Sequence, residues 1–170
     1  MKKVGLLSDT HGFIHPKIFD FFKEVDEIWH AGDIGNHETA KALADFKPLY
    51  AVFGNIDGQD LRISLPKNRI FKRENVNILL THIGGYPGNY AKGIIEILIR
   101  EKIKLFVCGH SHILKVINDK KLNLIHINPG AAGKYGLHQV ITFIRFILEN
   151  GTIRDLEIME IERSSEKNLP

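Results

Sequence analysis

The sequence predicts an α/β protein in which two sheets pack face to face under a cover of helices. Three observations predict it. Short apolar runs alternate with amphipathic segments of helical period through the first half of the 170-residue chain. The second half carries two pairs of alternating runs joined by turn residues. Parallel strands first and antiparallel strands after them leave outer sheet faces that only helices can bury.

Lys3–Leu7 is read as a strand, and His15–Val25 as a helix with Ile18, Phe19, Phe22 and Val25 at helical spacing. Glu27–His30 is a second strand, followed by a helix over His37–Phe46 with Asn36 as its N-cap and a strand over Leu49–Phe53. Ile70–Phe71, Ile78–Leu80 and Leu105–Val107 read as further strands, with a helix over Tyr90–Lys102 before the last. Leu114–Ile117 and Leu122–Ile127 flank a turn over Asn118–Lys121. Val140–Leu148 and Thr152–Ile161 flank Asn150-Gly151, a strong hairpin signal. Residues 1–162 read as one domain, and the polar tail Arg163–Pro170 is expected to fray.

Composition narrows the functional classes. With 44% hydrophobic and 25% charged residues, the chain is neither disordered nor fibrous. Its 23 basic and 20 acidic residues give a net charge of +3, too small to argue for a nucleic-acid or membrane partner. The single cysteine, Cys108, excludes an intrachain disulfide and any multi-cysteine zinc or iron–sulfur site. The apolar run Val4–Leu7 stops at Ser8-Asp9, too short for a signal core, and no later run approaches a membrane span. A cytoplasmic protein is expected.

The chemistry lies just past the strands. The first strand runs into Asp9 and His11, the second into Gly32-Asp33, and the third into Gly54-Asn55. Ile78–Leu80 runs into His82, and Leu105–Val107 into Gly109-His110-Ser111-His112. Sites in open α/β sheets form outside the carboxyl ends of strands, so Asp9, His11, Asp33, Asn55, His82, His110 and His112 are expected to converge there. The two i, i+2 pairs suit extended backbone, and the glycines before Asp33, Asn55 and His110 are expected to turn the chain beneath each ligand. Imidazole, carboxylate and amide oxygen without thiolate suit Mn²⁺, Fe, Zn²⁺ or Ni²⁺. Seven ligands exceed one tetrahedral ion and suit two ions sharing a carboxylate. Two divalent cations, two carboxylates and a hydroxide leave a net charge of about +1, which attracts a phosphate ester.

These motifs, in this order, resemble the calcineurin-like metallophosphoesterases. The start Ser8-Asp9-Thr10-His11-Gly12, the short length and Asn128-Pro129-Gly130 resemble the family's small bacterial and archaeal phosphodiesterases and the retromer small subunit. The resemblance implies a four-layer α/β/β/α sandwich of two mixed sheets flanked by helices. It assigns Asp9, His11, Asp33 and His112 to one metal, and Asp33 (bridging), Asn55, His82 and His110 to a second. It also implies a metal-bridging water as nucleophile, and Mn²⁺ as the leading metal. The chain departs from the family twice. Where many members carry Gly-Asn-His, it reads Gly54-Asn55-Ile56, and Ile56 cannot protonate a leaving group. His82 is followed by the glycine-rich Ile83–Gly88 rather than Gly-His.

Other features receive plainer readings. His15, His30, His37, His126 and His138 lie outside the pattern and read as structural. Asn128-Pro129-Gly130 reads as a tight turn, and Lys72-Arg73 and Arg100, Lys102 and Lys104 as solvated faces. Asp57 is either a carboxylate orienting a ligand or a loop residue. The leading expectation is a metal-dependent phosphodiesterase acting on a small anionic ester, with no phosphomonoester-specific basic cluster. A non-catalytic scaffold of the same fold and a small-metabolite phosphomonoesterase are the alternatives, and a homo-oligomer is compatible with either.

Overall fold

The structure, a computed structural model, describes residues 1–163. In chain order the elements begin with β1 (Lys2–Leu7), α1 (Lys17–Phe21), β2 (Glu27–His30), α2 (His37–Phe46), β3 (Leu49–Ala51) and α3 (Gln59–Ser64). Then come β4 (Asn68–Arg73), β5 (Val76–Thr81), the two-residue strands β6 (Gly85–Tyr86) and β7 (Asn89–Tyr90), α4 (Ile94–Arg100) and β8 (Leu105–Val107). β9 (Leu114–Asp119), β10 (Leu124–Pro129), β11 (Val140–Glu149) and β12 (Thr152–Glu162) follow.

Two five-stranded mixed sheets result, ordered β12-β11-β1-β2-β3 and β4-β5-β8-β10-β9. In the first, β1, β2 and β3 are parallel; in the second, β5, β8 and β10 are. Alternation sorts the side chains. Val4 and Leu6, Trp29, Ile78 and Leu80, Val107, Ile127 and Phe146 meet between the sheets. Leu7, Ile28 and Phe143 face outward under Ile18, Phe22 and Leu43 of the first helices. Leu79 and Phe106 face outward under Ile94 and Leu98 of α4. The expected four layers are present. Among the described residues no helix is long and apolar enough to cross a membrane.

Several elements differ from expectation, each for a local reason. The expected helix over His15–Val25 keeps only Lys17–Phe21 as α-helix, starting after Pro16. Lys23 and Val25 bond three residues back, a tightening that lets the chain enter β2. The expected helix over Tyr90–Lys102 starts only at Ile94, because Gly93 stands at φ 84° and Tyr90 is drawn into the β6–β7 hairpin. Asn36 caps α2 as expected, its Oδ1 accepting from Thr39 N. The β9–β10 hairpin turns at Lys120–Asn123 rather than Asn118–Lys121, because Asp119 Oδ1 accepts from the amides of Lys121 and Leu122. Glu74 and Asn75, both at positive φ, turn β4 into β5. Arg73 is no solvated charge: its Nε lies 3.0 Å from the buried Glu27, which also accepts from Trp29 Nε1. Arg163, expected to fray, donates to the carbonyls of Gly136 and His138; the rest of the expected tail, residues 164–170, lies outside the described residues.

His126 of β10 is fully buried, packs against Phe106, and neither ring nitrogen has a hydrogen-bond partner. Burial pushes its pKa down to about 4. The unfolded chain therefore takes up this proton near pH 6.5 and the folded chain only near 4, so stability is lost as pH falls through that window. The depression from 6.5 to about 4 corresponds to about 3 kcal/mol. His126→Leu is expected to remove that share of the acid sensitivity. Denaturant unfolding at pH 7.5 and 4.5 checks this, the wild type losing more stability between the two pH values than the variant.

Candidate metal centre

Because the parallel strands of each sheet run the same way, the ends of β1, β2, β3, β5 and β8 open at one edge of the sandwich. The loops there are sewn together by their backbones. Asp9 N and His11 N donate to Gly32 O and Asp33 O, both at 3.0 Å, and Gly12 N donates to Ile34 O. Gly109 N donates to His82 O across the second sheet, and His110 N to Asp9 Oδ2 between the sheets.

The i, i+2 pairs are not extended. Asp9, His11, Asp33, His110 and His112 all lie past their strand ends at φ between 50° and 69°, in the left-handed region. Each such residue costs roughly 1 kcal/mol or more, so the loop network must hold them there. The glycines also act otherwise than expected. Gly32 does turn at φ 93°, but Gly54 has an ordinary φ and is needed because a Cβ would stand 2.0 Å from Asp33 Oδ1. Gly109 is required for the same reason against Ser8 Oγ.

Six of the seven expected side chains fall into two clusters able to hold a metal ion, Asp9–His11–His112 and Asp33–His82–His110, with donor atoms within 4.8 Å of one another in each. Asn55 joins the second through its Oδ1, 3.0 Å from His82 Nε2. Asp33 stands between the clusters, its Oδ2 at 3.2 Å from His82 Nε2 and 4.0 Å from His11 Nε2.

The hydrogen bonds fix which nitrogens face inward. His82 Nδ1 lies 2.8 Å from Ala31 O and must donate to it, which leaves the Nε2 lone pair facing the oxygens of Asp33 and Asn55. His138 Nε2 donates to Gly133 O, so its Nδ1 accepts from His112 Nδ1 at 3.1 Å. His112 Nε2 is thereby left unprotonated, 3.2 Å from Asp9 Oδ1. Asp9 Oδ1 and His11 Nε2 are buried without any hydrogen-bond partner. Lone pairs pointing at lone pairs in a buried space fit a cation and little else.

Electrostatics agree. Burial alone would raise the Asp9 carboxyl, yet the imidazoles of His11, His112 and His82 gathered around it hold it well below the usual carboxylate range. Asp33 is likewise lowered, burial being outweighed by His82 and the Ile56 amide. His11 is raised by the neighbouring Asp9 carboxylate, and His82, despite burial, by Asp33 and Asp9. A site that pulls protons onto imidazole this way attracts cations.

A surrounding layer holds these groups. Asp57 is buried, accepting from Gly35 N and Gly54 N at 2.7 Å each, so it orients the loops of Asp33 and Asn55. Arg62 of α3 ties the same loop by donating to the carbonyls of Gly54, Asn55 and Asp57. Ile56 points outward, 48% exposed, while its N–H donates to Asp33 Oδ1. His30 is structural as expected, bridging Thr10 Oγ1 and Gly32 N, with its pKa pushed down to about 4 by burial. His138 is not merely structural. Asn128 is more than a turn residue: near the end of β10, its Oδ1 accepts from Gly130 N at 3.0 Å in the expected turn, while its Nδ2 donates to Gly109 O and Ser111 Oγ, pinning the His110–His112 loop. Neither role shows in a local pattern: the bonds of Asn128 follow from β10 running parallel to β8, and His138 stands 26 residues from His112.

Residues 1–151 match the calcineurin-like phosphoesterase superfamily domain, and the chain belongs to that superfamily. It is 32% identical over 136 residues to a probable metallophosphoesterase of Methanocaldococcus jannaschii, covering 75% of this chain and 67% of the relative. Its fold is shared by Vps29 of Entamoeba histolytica in complex with Zn²⁺ (18% identity, TM-score 0.71, 95% and 99% coverage). An archaeal phosphodiesterase shares it too (21% identity, TM-score 0.66, 94% and 99% coverage).

Two substitutions test the supporting layer. Asp57→Ala strands the buried Gly54 amide and the half-buried Gly35 amide and is expected to cost about 1–3 kcal/mol, read from the denaturation midpoint. His138→Ala frees the His112 ring and is expected to weaken metal affinity by about 10–100-fold with the fold retained, as checked by metal titration and circular dichroism.

Proposed function

We propose that this chain is a phosphoesterase that uses two divalent cations and acts on phosphodiesters. The observation that carries this is the set of inward lone pairs on His82, His112, Asp33 and Asn55, gathered around two buried carboxylates. Asp9, His11, His112 and Asp33 would hold one cation, and Asp33, Asn55, His82 and His110 the other, with Asp33 shared. Two bound divalent cations of the Mn²⁺, Fe, Zn²⁺ or Ni²⁺ type supply Lewis-acid polarisation of a phosphoryl group and an ionised water at neutral pH.

The chain's own residues set the rest. Asp9 and Asp33 cut the charge of the pair, so the site draws an anion without holding a dianion irreversibly. Exposed Asn55 and His110 leave it open on one side to a substrate with two ester groups. Ile56 offers no proton, so departure of the leaving group depends on its own acidity. The absent proton donor and the likeness to Vps29 favour a non-catalytic scaffold as the second reading; the retained set of lone pairs, which a scaffold does not need, supports the enzyme.

Metal analysis is expected to return two ions per chain, and Asp33→Asn to lower occupancy and activity together. One ion at saturation would count against the shared carboxylate. With the leaving group matched, diesters are expected to turn over faster than monoesters, and faster monoester turnover would overturn the diesterase reading. Along a series of diesters, kcat/KM should rise steeply with leaving-group acidity. A flat dependence with chemistry rate-limiting would mean that another residue supplies the proton, with His37 and Tyr86 the first to mutate.

A further inference from the structure

A cavity of about 400 Å³ opens directly beside the metal clusters, sharing Asn55 and His82 with them. Its size suits a small organic group rather than a lone phosphate. The walls are of two kinds. Phe53, Ile94 and Ile97 supply an apolar surface, with the Arg62 guanidinium stacked 4.9 Å above the Phe53 ring. At the mouth stand Lys67 and Lys92, both exposed. No carboxylate lines the cavity among the described residues, and neither lysine has one within ion-pair distance. Thr81 Oγ1 donates to Asn68 Oδ1 at 2.7 Å, which leaves the Asn68 amide NH₂ as a donor on the same wall.

Unpaired cations beside an apolar wall, opening onto the metal clusters, suit a ligand with three parts: a phosphate at the metals, a flat ring against the apolar wall, and a second anion within reach of the lysines. We infer that this cavity receives the ester substituent of the substrate, and that the substrate class is a small nucleotidyl phosphodiester carrying a further phosphate. The nucleoside lies against Phe53, Ile94 and Ile97, and the further phosphate meets Lys67 and Lys92. This rests on the phosphodiesterase reading for the position of the reacting phosphate. Arg62 belongs to the loop scaffold and stacks on Phe53, so the two lysines carry the charge recognition.

The test compares three nitrophenyl diesters on the metal-loaded protein: methyl nitrophenyl phosphate, thymidine 5′-nitrophenyl phosphate, and the latter with a 3′-phosphate. Nitrophenol release reads the diester bond alone. kcat/KM should rise in that order, the 3′-phosphate adding about 5–10-fold at low salt and losing that gain as salt rises. The Lys67→Gln, Lys92→Gln double variant should abolish the gain from the 3′-phosphate and keep the gain from thymidine. Ile97→Trp, which fills the cavity, should abolish both gains. Cleavage of all three at equal kcat/KM would overturn the inference while leaving the phosphodiesterase reading intact. Cleavage of none would overturn that reading, and calorimetry then decides the cavity separately. Binding of thymidine 3′,5′-bisphosphate tighter than inorganic phosphate, and weakened in the double variant, supports it; equal binding of the two overturns it.

Discussion

Two carboxylates buried at one edge of a sandwich cannot stand uncompensated, and the arrangement around Asp9 and Asp33 answers that constraint. Each gives one oxygen to a backbone amide, Asp9 Oδ2 to His110 and Asp33 Oδ1 to Ile56. The other oxygen of each is turned toward imidazole nitrogens. Those imidazoles are oriented from behind, His82 by Ala31 O and His112 by His138, so that their remaining lone pairs join the carboxylate oxygens. The result is a concentration of negative potential that only cations relieve, which makes the edge of the sandwich a metal site before any substrate is considered.

Holding that arrangement requires backbone in a conformation that L residues disfavour. Left-handed residues at Asp9, His11, Asp33, His110 and His112 are tolerable because the loops bearing them are bonded to one another, Asp9 and His11 to the Gly32–Asp33 segment and His110 to Asp9 itself. Asp57 and Asn128 extend the network to the two flanking loops. The strain at the site is thus offset by hydrogen bonds formed between elements far apart in sequence.

The site is asymmetric in its surroundings. Toward α3 and α4 it opens into a cavity whose lining includes Arg62, Lys67 and Lys92 and no carboxylate among the described residues. Ile56 lies exposed with a side chain that carries no proton to donate, while its amide is a fixed support for Asp33. The anchor of the carboxylate is thus a backbone group, independent of the side chain at that position.

Composition and period were enough to mark the strands of the first half, the capped helix after Asn36, the two layers of strands and the seven candidate ligand residues past the strand ends, because each of these is a short-range pattern in the chain. The pairing of β10 with β8 was not legible, since a strand in a hairpin shows its sequence neighbour and not the partner on its other edge; the bonds from Asn128 to the Gly109–Ser111 loop stayed hidden for that reason, beside the turn it does form. The helix ends were decided by Gly93 and by the entry into β2, where tertiary geometry overrode helical period. His138 and Asp57 were indistinguishable from ordinary loop residues until their partners, 26 and 22 residues away, came within hydrogen-bond distance. The sequence by itself determined which groups can bind a cation. Only the tertiary structure decided which nitrogen of each imidazole faces inward and which lysines flank the cavity, because both depend on contacts that fall outside any local window of the chain.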